Sequence, residues 1–242
     1  MTRGLLIVCI VALYPAAGFG QPADYIDKFS GFWTVRFGGG DVSGLLDELP
    51  DDVVLIDDAG GGELAAGEYN GLVLSESALA AIADYDFAAE LLPENSCKAP
   101  SVAFYMQAPF PMEIYAGRDL IVFKMEYFDL YRVIFLDGRE HPPASAPHTL
   151  SGHSVGHWEG DTLVVDTTHI APGTFMNNGF DHSEDLHLIE RFRVSEDGTT
   201  LSATQIYEDP ATFSGRAARF MSWSKRPGEY VYPYDCDPLY GG

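Results

Sequence analysis

The chain has 242 residues, with 14 Lys and Arg against 36 Asp and Glu and a formal charge of −22. Such a charge repels phosphate backbones and anionic bilayer surfaces, which excludes nucleic-acid and lipid-surface roles. It leaves room for one domain with a sizeable core and an uncharged, cationic or aromatic partner.

Residues 1–20 read as an export signal. Arg3 gives the positive start, Leu5 to Tyr14 an apolar run too short to span a bilayer, and Gly18-Phe19-Gly20 the small residues before a cut near Gln21. The expected location is periplasmic or secreted. Cys9 falls in this leader without a lipobox before it, so the exported chain keeps Cys97 and Cys236. In an oxidising compartment the two are expected to form a disulfide, the alternative being two separate buried thiols.

Residues 21–242 are read as one β-barrel-like domain. Ser30 to Phe37 reads as its first strand, with Phe32, Thr34 and Arg36 on one face and Trp33, Val35 and Phe37 on the other. Residues 41–70 follow as an acidic insertion. Between Arg36 and Lys98 there are 14 acidic residues and no basic one. The spacing of a calcium loop is absent, so a solvated, mobile segment is expected. Ser75 caps an Ala-rich stretch that predicts a helix over 75–92, with Leu79, Ile82, Phe87 and Leu91 as its apolar stripe.

From Cys97 on, short alternating runs predict strands at 102–106, 112–115, 120–127, 130–136, 152–158, 162–167, 186–194, 201–208 and 219–224. Nine strands with turns between them predict an antiparallel meander closed into a lipocalin-like barrel or half-barrel, with a β-sandwich as the alternative.

Pro147 to His169 carries most of the chemistry. Glu159-Gly160 reads as the two-residue loop of a hairpin, which pairs His157 with Thr162, Val155 with Val164 and His153 with Asp166. Alternation then places all six side chains on one face. A carboxylate beside an imidazole makes a general base. The competing reading is a polar pair that only fixes register.

This stretch resembles a family of secreted, largely uncharacterised bacterial proteins marked by Gly-His-Ser-x-Gly-x-Trp-Glu-Gly-Asp-Thr-Leu-Val-Val-Asp-Thr, here Gly152 to Thr167. Arg132 to Pro142 is similar to the family's Arg-x-Ile-x-x-Asp-Gly-Arg-x-His-Pro block. His182-Ser183, Glu190-Arg191 and Glu208-Asp209-Pro210 are similar to its further positions. The resemblance implies a secreted antiparallel β fold and carries no assigned reaction.

All seven histidines lie between His141 and His187. His153 and His157, four apart on a strand, sit about 13 Å apart and cannot share a metal. A three-histidine site using loop residues stays open, but no metal or cofactor is assigned. Charged residues inside strands are the stronger clue. Glu126 and Arg132 flank a short turn and are expected to pair, and Glu190 sits in an apolar row where it must be paired or protonated. The alternative is a structural salt bridge inside the barrel.

No nucleophile elbow, dinucleotide fingerprint or phosphate loop appears. The sequence therefore points to an exported, cofactor-independent lyase or isomerase acting on a hydrophobic or aromatic small molecule in a barrel pocket. His153 oriented by Asp166 would move a proton, Arg132 and Glu126 would polarise the substrate, and His182 or Glu190 would be the second proton-transfer group. Tyr131, His157, Tyr207 and Arg139 are the expected ligand contacts. The alternative is a lipocalin-like binding protein without catalysis.

Overall fold

Runs that alternate apolar and polar residues bury one face each, and nine of them here close on one another. The computed structural model describes residues 23–36, 49–56, 64–90 and 92–238. Its barrel strands are β1 (Gly31–Val35), β2 (Met112–Ala116), β3 (Leu120–Met125), β4 (Tyr131–Phe135), β5 (His153–Glu159), β6 (Thr162–Thr168), β7 (His187–Val194), β8 (Thr200–Glu208) and β9 (Arg216–Lys225). Each pairs with the next, and β9 returns to β1 through Trp33↔Lys225 and Val35↔Trp223. The interior is filled by Trp33, Phe123, Val165, Phe192, Leu201 and Trp223, all wholly buried.

One pair departs from the expected meander. β4 and β5 run parallel, with Ile134 opposite Ser154. The physical reason is the link between them: it carries Pro142, Pro143 and Pro147, makes no hairpin, and is long enough to bring the chain back to the same end. The barrel is therefore mixed.

Other expectations shift locally. The helix expected over 75–92 is two pieces, Glu76–Ala83 and Phe87–Glu90, and a further short helix, Pro93–Ser96, follows where a stop was expected. Ser75 caps the first by accepting from the Ala78 amide at 3.1 Å. Asp86 accepts from the Ala88 amide and starts a new turn, and Leu79 and Phe87 are left exposed. The strand expected at 102–106 is a short helix, Val102–Tyr105. Val102, Ala103, Tyr105 and Met106 are buried all round, so alternation is no guide there. Within the acidic insertion Val53–Leu55 adds a strand parallel to β9, held by an Asp52–Arg216 ion pair. The stretch expected to be an export signal lies outside the described residues, as do residues 37–48 and 57–63 and Leu91 of the expected helix stripe.

A short hairpin, Gly173–Met176 with Phe180–His182, has no counterpart among the expected strands. The Cys97–Cys236 disulfide is present, with Cα atoms 5.9 Å apart across 139 positions. Closing so long a loop contributes on the order of 4 kcal/mol through the unfolded chain. Among the described residues no helix is long and apolar enough to cross a membrane.

Candidate acid–base site

The β5–β6 hairpin turns one residue later than expected. Glu159 faces Thr162, so Gly160-Asp161 is the loop. Gly160 has φ +60°, the conformation a type II′ turn needs at its first central residue. The other frame would force positive φ on Glu159, which an L side chain resists. The register moves by two, so His153, Val155, His157, Thr162, Val164 and Asp166 still share a face. Asp166 now opposes Val155, and His153 opposes Thr168. Gly152 enters β5 at φ +65°, where a Cβ would lie 2.7 Å from the Thr168 carbonyl oxygen.

That shared face looks outward, not into an enclosed hollow. Ser154, Leu163, Val165 and Thr167, the alternate residues, are buried in the barrel; in the outer row Thr162 and Val164 are also covered, whereas His153, Val155, His157 and Asp166 are not. His153 and Asp166 do not touch. The imidazole of His141, from the β4–β5 link, lies between them: its Nε2 is 2.9 Å from Asp166 Oδ1 and its Nδ1 is 3.0 Å from His153 Nδ1. His187 Nε2 reaches the same Asp166 Oδ1 at 3.0 Å. Thr168 Oγ1 is 3.1 Å from His141 Nδ1 and 2.8 Å from His169 Nδ1. The side chains of His141, Asp166 and His187 are 25%, 41% and 32% exposed, so the cluster is open to a small molecule.

These contacts fix protons. A carboxylate only accepts, so His141 and His187 each donate Nε2–H to Asp166. A neutral His141 then has a bare Nδ1, and His153 must donate its own Nδ1–H to it. The consequence is that His153 Nε2 carries the free lone pair. A proton gained there can pass through Nδ1 to His141, where the imidazolium faces Asp166. The carboxylate thus acts on His153 through a second imidazole.

The environments push the groups apart. Burial, and then the nearby positive charges of His141, Arg139 and His169, hold His153 below the usual imidazole range. For Asp166 burial works upward, but hydrogen bonds from His187 and His141 outweigh it and keep the carboxyl below its ordinary value. The bond to Asp166 raises His187 above the imidazole range, with burial opposing and Glu208 adding to the rise. One cluster therefore sets an imidazole of lowered proton affinity and one of raised affinity around a single carboxylate.

The flank nearest His153 is aromatic. Phe135 stacks on the His153 ring at 5.5 Å, and the Arg139 guanidinium lies 3.6 Å over Phe135 while its Nε and Nη2 donate to Asp137. Tyr131 and Val133, on the outward face of β4, are exposed beside it. His157, further along β5, is exposed and bonded to Glu159.

A second polar cluster occupies the other side of the same strands. Arg132 forms an ion pair with Glu190 in which both side chains are wholly buried. Arg132 also donates to Ser154 Oγ at 3.1 Å and Thr167 Oγ1 at 2.8 Å. Gln205 Nε2 donates to Glu190 at 2.8 Å, and Tyr207 donates to Gln205 Oε1 at 2.8 Å. Tyr105, whose burial pushes its phenol up to about 12, donates to Ser151 at 3.0 Å. The Arg132–Glu126 pair expected from the sequence does not form. Glu126 leaves β3 for a tight turn at Tyr127–Asp129 and accepts from the Tyr232 amide instead.

His182 stands apart from both. It is buried on the short hairpin, with Nδ1 donating to the Ser183 carbonyl at 2.9 Å and Nε2 accepting from Ser101 Oγ at 2.6 Å. Asp209 accepts from the Ser183 amide and hydroxyl. Burial keeps His182 below the usual imidazole range.

Of the residues picked from the sequence, His153, Asp166 and Arg139 come together outside the barrel, and Arg132, Glu190 and Tyr207 inside it. His141, His187 and Thr168 were missed as partners. The signal for His187 and Thr168 was alternation, which puts them on the outward face of β7 and β6. His141 arrives from a loop and was marked only as the histidine of the Arg132–Pro142 block. Among the described residues no group of three or more His, Cys, Asp or Glu side chains is arranged to hold a metal ion. No family model and no curated protein matches the chain.

Proposed function

We propose that the protein is an exported, cofactor-independent lyase or isomerase whose acid–base site lies on the outer face of the barrel. The observation that carries this is the pair His153 and His187. The two are linked through His141 and Asp166, and their surroundings shift their proton affinities in opposite directions. In a dehydration, His153 Nε2 takes a proton from carbon, His187 gives Nδ1–H to the departing hydroxyl, and a C=C bond forms as water leaves. Isomerisation uses the same two groups, and retro-aldol cleavage starts with His153 drawing the proton from a hydroxyl. Phe135, Tyr131 and Val133 favour a hydrophobic or aromatic small molecule, with Arg139 beside it. Arg132, Glu190 and Tyr207 hold the scaffold.

The test is mass spectrometry of small molecules consumed by the purified protein from an extract of its source, run beside His153→Ala and Asp166→Asn. A compound consumed by the native chain and spared by both variants is expected. Equal consumption by His153→Ala, or no consumption by any, would remove the proposal. A binding protein without turnover is the second reading, favoured by the exposed Tyr131 and Val133. It predicts saturable tryptophan quenching and no product.

A further inference from the structure

We propose that residues 138–148 form a lid over this site, latched by histidines and released by acid. The inference rests on the acid–base reading only for what the lid covers. The latch stands on its own geometry.

Both ends of the segment are fixed to the barrel. The Leu136 amide donates to the Asp119 carbonyl at 2.8 Å, and the Thr149 amide to the His169 carbonyl at 3.0 Å. Between them Pro142, Pro143 and Pro147 lack the amide hydrogens needed to join a sheet. Among the described residues, each hydrogen bond from 138–148 to β5, β6 or His169 has an imidazole at one end, and Arg139 bonds Asp137 at the root of the segment. His141 bonds His153, Asp166 and Thr168, and His169 Nε2 donates to the Pro143 carbonyl at 3.0 Å. The His148 ring lies 5.3 Å from that of His169, and Arg139 over Phe135 completes the contacts.

Charge decides when this latch holds. Two Nδ1 atoms 3.0 Å apart share one proton but not two: the neutral pair takes up one extra proton at His153 Nε2 with that bond intact, and a second extra proton makes both rings cationic with their N–H groups pointing at each other. The groups facing His141 are His153 from β5, Asp166 and Thr168 from β6, His169 just beyond it, His187 from β7 and Arg139 from the lid itself. Glu208 of β8 lies 3.8 Å from His187. Asp166 is the carboxylate bonded to His141, and it already accepts from His187. It cannot neutralise three imidazolium ions. Below the ordinary histidine range the closed lid therefore disfavours the last proton, and the open lid accepts it.

Amide hydrogen exchange at Ala146 and Thr149, whose amides donate to the Pro143 and His169 carbonyls, tests this on the full, disulfide-intact chain, corrected for intrinsic rates at pH 7.5 and 5.0. A proton that binds the open lid more tightly than the closed one raises opening as the pH falls. Protection of the native lid should fall severalfold at pH 5.0. His153→Gln, whose amide oxygen accepts from a protonated His141, should keep the lid protected at both values. His141→Ala should leave it open at both. A native lid equally protected at the two pH values would overturn the latch, as would His153→Gln opening like the native chain or His141→Ala staying closed. No turnover is measured, so the outcome reads the same whether or not the chemistry proposed above is correct.

Discussion

Replacing Glu190 by Gln leaves the wholly buried Arg132 guanidinium without its counter-charge, while Ser154, Thr167 and Gln205 stay in place around it. The shape is nearly conserved, so the loss is electrostatic. Removing one partner of a buried ion pair costs about 3–5 kcal/mol, because the remaining ion keeps its desolvation penalty and loses its attraction. For a chain of this size each kcal/mol moves the melting temperature by roughly 2–4 °C, which gives a drop of roughly 6–20 °C. Among the described residues Arg132 Nη1 has no hydrogen-bond partner, so the pair is imperfectly satisfied. The double replacement Arg132→Met with Glu190→Leu should therefore lie within about 2 kcal/mol of the native chain, or above it. Urea titrations of all three proteins with the disulfide intact read both numbers. A cost below about 1 kcal/mol for Glu190→Gln would show that the pair is not buried as described. A double variant as damaged as the single one would refute the argument that the stray charge is the cause.

Three other outcomes follow. In Asp166→Asn, imidazole NMR should show His187 titrating lower than in the native chain, with the fold intact and any turnover lost; an unmoved His187 would dissociate it from Asp166. His182 and His153 bind protons less readily folded than unfolded, so the stability they contribute is present above the ordinary imidazole value of 6.5 and is lost as pH falls below it. His187 has the opposite sign: its contribution is full below 6.5 and is lost as pH rises through its raised value. His182→Gln should flatten the decline between about pH 6.5 and 5, measured by urea midpoints, and an unchanged slope would exonerate that residue. Ellman titration of the unfolded, unreduced chain should find neither Cys97 nor Cys236 free, and reduction should lower stability by on the order of 4 kcal/mol.

The barrel was legible because its strands obey period two. Trp33, Phe123, Phe192 and Trp223 fall inward where alternation puts them. Alternation also assigned His153 and Asp166 to one face, and a register error of two left that assignment untouched. Which face was inside could not be read from β5 and β6 alone, because both rows carry polar and apolar residues. Ser154 and Thr167 are polar yet buried, since Arg132 arrives from β4 to bond them. The partner of Arg132 was missed for a related reason: Glu126 is near in sequence, whereas Glu190 is 58 positions away and meets Arg132 only when the barrel closes. Val102–Tyr105 failed because Val102, Ala103 and Tyr105 are all buried, which leaves no period of two to read.

The two clusters use the same two strands from opposite sides. Ser154 follows His153, and Thr167 stands between Asp166 and Thr168. Each of the two hydroxyls is held by Arg132, and they bond each other at 2.9 Å across the strands. A guanidinium has its donors in a rigid fork, so one residue sets the spacing of both strands from within. The imidazoles and carboxylate outside then inherit a fixed separation, which a proton relay through His141 requires, since a displacement of about 1 Å would break hydrogen bonds of about 3 Å. A buried charge pair is weak evidence for stability alone. Here its position gives it a second consequence: it holds the backbone on which the outer groups stand.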